Sequence, residues 1–150
     1  MKRPLPLRPR RRQSGLSLIE VLIAVLIMGV GLLGIAALQA VTLRNSQSAF
    51  DRTQATVLSY AILDAMRANL TAARANSYNV GMTCTVPAAG STLVSRDLNV
   101  WVNSLKQTMG DSACGSIACA SNSCTITIRW DDSRASGGVA NETLTTTSRI

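Results

Sequence analysis

The amino-acid sequence predicts an α+β protein, with a long N-terminal α-helix packed on a small C-terminal domain of one short helix and an antiparallel β-hairpin or sheet. Three observations support this prediction. Residues 21–43 contain no charge. Residues 44–74 contain neither proline nor glycine and repeat apolar side chains at helical spacing. Residues 116–130 alternate between apolar and polar side chains around two closely spaced cysteines, as a hairpin does.

The uncharged run is the predicted membrane span. Its 23 residues would extend about 34 Å as an α-helix, which is enough to cross the hydrocarbon core of a bilayer. We therefore expect residues 16–43 to be the transmembrane half of the long helix. Residues 44–74 mix charges with apolar residues such as Phe50, Leu58 and Ile62, and this pattern predicts an amphipathic second half that lies against a domain.

A cluster of basic residues precedes the span. Six of the 15 basic residues lie before Gly15 and no acid does, so the positive-inside rule predicts a cytoplasmic N-terminus and an exported C-terminal domain. We interpret residues 1–15 as a basic leader segment. The rest of the chain is nearly neutral and offers no basic patch, so no nucleic-acid partner is expected.

Residues 75–150 form the predicted exported domain. "NSYNVGMTC" and "PAAG" are typical of loops. Ser95 is the expected N-cap of a short helix that Gly110 ends. "SIACASNSCTITIRW" predicts a hairpin whose loop runs over residues 120–123, with Ile126, Ile128 and Trp130 on one face. The segment "ETLTTTSRI" fits either a last edge strand or a loose tail.

Four cysteines, all beyond the span, stand at positions 84, 114, 119 and 124. An even number in an exported domain favours two disulfides. In the predicted hairpin Cys119 faces Cys124, which leaves Cys84 to pair with Cys114, although four cysteines allow three pairings. A membrane-anchored zinc protein is an alternative, but the spacing lacks the close C-x2-C pair of most structural zinc sites.

The composition disfavours catalysis. The chain has no histidine, which is the commonest general base and a common metal ligand. Its acids are scattered, and the adjacent pair Asp131 and Asp132 lies in "DDSR", a sequence typical of a solvated turn. We therefore expect no enzymatic activity, no cofactor and no metal.

The segment "GLSLIEVLIAVLIMG" (residues 15–29) resembles the N-terminal signature of type IV pilins and pseudopilins. The resemblance implies that a prepilin peptidase and methyltransferase cuts after Gly15 and methylates the new N-terminal amine of Leu16. Leucine replaces the phenylalanine that is usual there. It also implies a role in assembly for Glu20, whose carboxylate would pair with the Leu16 amine of a neighbouring subunit. Position alone also fits a Glu20 side chain that snorkels to the membrane surface.

Three glycines, Gly29, Gly31 and Gly34, interrupt the span in "GVGLLG". Glycine weakens a helix by about 1 kcal/mol relative to alanine, so one interpretation is helix flexibility when the subunit leaves the bilayer. The other interpretation is that the glycines allow close packing against other membrane helices.

The same segment, with "DLNVWVNSL" (residues 97–105) and "CTITIRW" (residues 124–130), resembles the minor pilins called type IV pilus modification proteins. The resemblance implies a minor pilin that helps to initiate or modify pilus assembly. Its partners would be other minor pilins, the major pilin, the prepilin peptidase and the inner membrane. It would cross that membrane once, with a cytoplasmic N-terminus and a periplasmic domain, before entering the pilus. The alternative is a minor pseudopilin of type II secretion, of the I type.

The first testable prediction concerns processing. Gly15 has no side chain, so a peptidase can approach its backbone closely. Mass spectrometry of the mature protein should show cleavage between Gly15 and Leu16 and one methyl group on the Leu16 amine. A mature chain that keeps residues 1–15 would contradict the pilin interpretation.

Overall fold

The computed structural model describes residues 15, 17–120 and 122–150 of the chain. Most of the predicted leader therefore lies outside the described residues, as does Leu16. The described part divides into two compact units, one ending at Gln39 and the other spanning Ala40–Ile150. The elements, in chain order, are α1 (Leu18–Ala68), α2 (Leu70–Arg74), β1 (Val80–Thr83), α3 (Leu93–Met109), β2 (Cys114–Ala120), β3 (Ser123–Trp130) and β4 (Glu142–Arg149).

The four strands form one antiparallel sheet in the order β1-β2-β3-β4. β2 and β3 pair with Ile117 opposite Ile126 and Cys119 opposite Cys124. Because side chains alternate across a strand, this register places Ile126, Ile128 and Trp130 on one face, where they are buried. The predicted hairpin register is thus confirmed, and the α+β, pilin-like architecture with it.

The buried face of the sheet packs against one side of α1 and of α3. Trp101 links the two helices, because its indole Nε1 donates a hydrogen bond to the Leu58 carbonyl of α1 at 3.0 Å. Gly115 of β2 leaves room for the Trp101 ring beneath it. The core of this unit includes Ile62, Leu63 and Met66 of α1, Trp101, Val102 and Leu105 of α3, and Ile117, Ile126, Ile128 and Trp130 of the sheet.

Several boundaries differ from those predicted. The N-cap of α3 is Thr92 and not Ser95, and the Thr92 hydroxyl accepts the hydrogen bond of the Ser95 backbone N–H at 3.2 Å. Ser95 therefore lies in the first turn. The predicted end at Gly110 is confirmed: its φ of 91° is one that glycine adopts readily.

Two further differences concern a break in the helix and a short strand. α1 ends at Ala68, where the predicted helix continues, and the short α2 follows from Leu70. The segment predicted as a loop contains β1, a strand of four residues whose pairing with β2 is irregular. This short strand contains Gly81 and has a loop-like sequence, because its extended conformation depends on pairing with β2. The hairpin loop is also shorter than predicted, since Ala120 and Ser123 already pair.

Two disulfides join opposite faces of β2 to other parts of the chain. Cys84 bonds to Cys114 and Cys119 bonds to Cys124. Cys119 and Cys124 lie on the buried face. The other pair is on the outer face, where Arg129 Nη2 lies 3.4 Å from the Cys114 sulfur.

The loop between β3 and β4 folds back onto α1. Asp132 is 5% exposed, and its carboxylate accepts a hydrogen bond from the Ser48 hydroxyl at 2.7 Å. The expectation of a solvated turn holds for Asp131, whose carboxylate accepts the Ser133 N–H at 2.9 Å, and is wrong for Asp132. Hydrogen bonds from Ser133 lower the pKa of Asp131. Both acids therefore shape the loop.

The packing at Gly115 gives a stability prediction. A Cβ at this position would lie 2.5 Å from the Trp101 ring and 2.9 Å from Leu105. Gly115→Ala should therefore lower the free energy of unfolding by about 1–3 kcal/mol, as overpacking does. Denaturant unfolding of a fragment of residues 40–150 measures this. The matched control is Gly81→Ala in β1, where a Cβ meets nothing within 4 Å; equal losses in both variants would contradict the packing explanation.

Tyr78 gives a prediction about pH. Its side chain is buried, and its hydroxyl donates to Asp97 Oδ2 at 2.6 Å while Asn69 Nδ2 donates to it at 3.2 Å. Burial, then the hydrogen bond to Asp97, raise the pKa of Tyr78 from 10.0 to about 12. The folded state therefore favours the neutral phenol, and the resulting stabilisation is complete below pH 10 and lost as the pH rises toward 12.

Ultraviolet titration should show one of the two tyrosines ionising near pH 12. Between pH 9 and pH 11.5 the fragment should lose more stability than its Tyr78→Phe variant, by about 1–2 kcal/mol. The difference between the two proteins isolates Tyr78 from every other group that titrates in this range. Parallel pH profiles for the two would show that Tyr78 is not responsible.

Candidate membrane and assembly segment

The candidate site begins where α1 begins. The Ser17 carbonyl accepts hydrogen bonds from the backbone N–H groups of Glu20 at 3.0 Å and Val21 at 3.3 Å. The helix therefore forms from Leu18 onward and places Glu20 in its first turn. An acidic side chain in the first turn lies near the positive end of the helix dipole.

The first part of α1 is apolar on all sides and exposed on all sides. An 18-residue window within the helix has a mean hydropathy of 2.8, and none of that window is buried by the rest of the chain. Side chains on every side of the helix are open, for example Leu18 at 79%, Val30 at 66% and Ile35 at 54% exposure. So much apolar surface needs lipid or other apolar helices around it.

Glu20 is the one acid or base in this apolar stretch. Within the described residues its carboxylate has no hydrogen bond and no ion pair. In hydrocarbon an unpaired carboxylate costs about 2.5–3.5 kcal/mol or more. No described residue supplies a partner, so a Glu20 carboxylate that enters a dry environment needs one from elsewhere, such as another chain.

The three glycines of the span have no packing role against the part of the chain that the structure describes. A Cβ added at Gly29, Gly31 or Gly34 would meet nothing within 4 Å, and the helix continues through all three. Their explanation therefore lies in helix flexibility or in contacts with other helices, as the sequence predicts.

Gly15, the residue before the predicted cleavage point, is exposed and precedes the helix. Leu16, the predicted site of N-methylation, lies outside the described residues. An exposed backbone before a helix is one that a peptidase can bind in extended form. The geometry at Gly15 is therefore compatible with cleavage, which remains a prediction.

The cysteines form no second site. All four sulfurs are engaged in disulfides, so none is available as a thiolate ligand. The zinc alternative is therefore wrong. Among the described residues no group of three or more His, Cys, Asp or Glu side chains could hold a metal ion.

Polar side chains line a shallow hollow between the β3–β4 loop and α1. Arg52 bonds to Glu142 at 2.9 Å and Ser48 to Asp132, as described above. These groups satisfy one another, and their geometry fixes the loop to the helix. Sequence reasoning missed the Ser48–Asp132 contact because the two residues are 84 positions apart.

Comparison with known proteins bears on the N-terminal segment. Residues 10–36 match the family described as the prokaryotic N-terminal methylation motif. Neither the curated proteins nor the solved structures gave a significant match to the chain.

The matched residues include Gly15, Glu20 and the first half of the span. The chain therefore carries the N-terminal signal of type IV pilin-like proteins and pseudopilins. This signal implies processing by the prepilin peptidase. Together with the exposed apolar helix, it indicates that the N-terminal segment anchors the protein in a membrane.

Proposed function

We propose that this protein is a minor pilin of the type IV pilus, similar to the type IV pilus modification protein PilV, and that it helps to initiate or modify pilus assembly. Its role is structural and not enzymatic. The observation that carries the proposal is the order of three features. A glycine follows a basic leader, Glu20 comes five residues later and has no partner among the described residues, and an apolar helix is exposed on all sides.

In this proposal, Glu20 directs the docking of subunits. Cleavage after Gly15 creates a positively charged amine at Leu16. When apolar helices pack together, the Glu20 carboxylate of one subunit pairs with the Leu16 amine of another. The pair offsets the cost of taking each charge out of water, and it sets the axial position of one helix against its neighbour.

The disulfides support an exported domain. Both bonds lie in the part of the chain beyond the span, and disulfides persist in oxidising compartments such as the periplasm. The basic leader favours a cytoplasmic N-terminus. We therefore propose a single-pass protein of the bacterial inner membrane whose periplasmic domain later enters the pilus.

Two looser resemblances favour the assignment to a minor pilin of this kind. "DLNVWVNSL" carries Trp101, Val102 and Leu105, the buried side of α3, and "CTITIRW" makes most of β3. Both segments thus form the core of the domain, so a likeness there supports a shared fold. The absence of proline between Pro9 and Pro87 also differs from many major pilins, which have one midway along the apolar helix.

The alternative is a minor pseudopilin of type II secretion, of the I type. The same N-terminal signal, span and small domain support it. The identity of the neighbouring genes separates the two: genes for pilus minor subunits favour the pilin, and genes for secretion-system components favour the pseudopilin.

The prediction that tests the proposal concerns Glu20. Glu20→Ala makes the span more apolar, so membrane insertion should be unchanged or improved, and the domain from Ala40 onward should fold as before. The loss should appear at assembly, because the Leu16 amine of a neighbour no longer has a partner. We expect normal amounts of processed protein in the membrane, depletion from sheared pili and fewer pili on the surface.

The matched control is Asp64→Ala on the same helix. Asp64 pairs with Arg67 at 2.7 Å, but its side chain is 70% exposed, so its loss should cost less than about 1 kcal/mol and leave assembly intact. Unchanged incorporation of the Glu20→Ala protein would mean that Glu20 only snorkels. Loss of the Glu20→Ala protein from the membrane would instead assign the residue to insertion. Normal pili with defective secretion would favour the pseudopilin.

A further inference from the structure

Strand β4 forms one edge of the sheet and has a sequence suited to pairing. It runs without interruption over eight residues, ETLTTTSR, with no proline, glycine or lysine. Its pairing with β3 is regular from end to end. Natural proteins usually protect such edges with short strands, prolines, lysines or bulges.

The other edge of the sheet has that protection. β1 has four residues, contains Gly81 and pairs irregularly with β2. The two edges therefore differ: β1 is poorly suited to accept another strand, and β4 is well suited.

The register shows which backbone groups of β4 face the open edge. The Ile150 N–H donates to the Asn122 carbonyl of the β3 side at 3.0 Å. In an antiparallel ladder the residues that bond to a given neighbour alternate. Even-numbered residues of β4 therefore bond to β3, and the N–H and C=O groups of Thr143, Thr145 and Thr147 point outward.

The side chains of the same odd-numbered residues lie on the outer face and are exposed. They continue a row of threonines from β3, with hydroxyl oxygens 3.1 Å apart for Thr125 and Thr147 and 3.4 Å apart for Thr127 and Thr145. β-Branched side chains in such rows stabilise pairing with a further strand.

The charges on this face are of one sign. Arg129 and Arg149 are its charged residues, and the outer-face positions of β3 and β4 contain no acid. No carboxylate forms an ion pair with either arginine in the described part of the chain. The Arg149 carbonyl at the end of the edge already accepts a hydrogen bond from Arg67 Nη2 of α1 at 3.4 Å. The edge therefore matches a strand that pairs along Thr143, Thr145 and Thr147 and has an acid near the Arg149 guanidinium. Neither the outer face of β4 nor the VGMT of β1 supplies one, so a second copy is the poorer fit.

We propose that β4 binds an extended segment of a different pilin-like subunit, which adds to the sheet as a fifth, antiparallel strand through main-chain hydrogen bonds. The added strand carries small or β-branched side chains beside Thr143, Thr145 and Thr147 and an acidic side chain opposite Arg149. This inference rests on the proposed function for the nature of the partner, and on the β4 edge for the mode of binding.

Photo-crosslinking of the full-length protein in its own host, at native level, tests the geometry. The probe is p-benzoylphenylalanine, placed singly at Thr143, Thr145 or Thr147. All three should join one other subunit that carries a prepilin signal. The contact point in that subunit should move backward by about two residues for each two-residue step along β4, as antiparallel strands require. Thr127, on the same face one strand further in, is the matched control and should give at least severalfold less adduct.

Two substitutions at Thr145 separate main-chain binding from side-chain binding. Thr145→Pro removes an N–H that faces the open edge, and it removes no hydrogen bond to β3. Edge strands tolerate proline at such positions. It should lower the adduct yield from position 143 by roughly three- to tenfold, the value of one hydrogen bond. Thr145→Val keeps the N–H and should give nearly wild-type yield. Normal disulfide formation in both variants shows that the domain still folds.

The charge match is tested by exchange. Arg149→Glu should weaken the adduct, and replacing the acid opposite it in the partner with arginine should restore it. Four outcomes would each overturn the proposal. The adducts could form with many proteins, lack the stepwise pattern or join β4 of a second copy, or the yields for Thr145→Pro and Thr145→Val could be equal. The Glu20→Ala result distinguishes the proposed function from the edge inference. If entry into pili depends on Glu20 but no β4 adduct forms, only the edge inference is overturned.

Discussion

One helix, α1, has to satisfy two different surroundings, and most of the molecule follows from that constraint. Up to Gln39 every described residue of α1 is exposed, and the sequence there is apolar on every side. From Ala40 onward, one side of the helix carries Ile62, Leu63 and Met66, which are buried, and the other sides carry charges and polar groups. The change of pattern marks where the helix stops depending on its surroundings outside the chain and starts to hold a domain.

The domain's architecture could be predicted largely because its signals are periodic. Alternation along β3 fixed which face of Ile126 and Ile128 is buried, and Gly110 marked the end of α3. The helix break at Asn69 and strand β1 could not be predicted in the same way. Each has partners elsewhere in the chain that local periodicity does not reveal: Asn69 bonds to Tyr78, and β1 pairs with β2.

The candidate site, unlike the helix break and β1, could be predicted from local sequence. Gly15 and Glu20 could be identified from the sequence because their spacing is local and a carboxylate beside an uncharged run is chemically unusual. The fold adds that, among the described residues, Glu20 has no partner and a Cβ added at any glycine of the span would meet nothing within 4 Å. Asp132 shows the limit of sequence reasoning, since nothing in "DDSR" distinguishes the exposed acid from the one bonded to Ser48. The binding edge of β4 was equally hidden, because a strand's position in a sheet is a property of the whole fold.

The two disulfides share strand β2, which has a consequence for the timing of folding. In the chain-entropy description, closing loops with separations of 30 and 5 residues contributes about 4 and about 2 kcal/mol. Small domains are commonly stable by only about 5–15 kcal/mol in total. In a reducing environment both contributions are missing, and β2 is held only by its hydrogen-bonded pairing with β1 and β3 and by packing. If the domain is exported as proposed, it gains these two contributions only after it has crossed the membrane, and the reduced polypeptide made before export is the less stable, more easily translocated form.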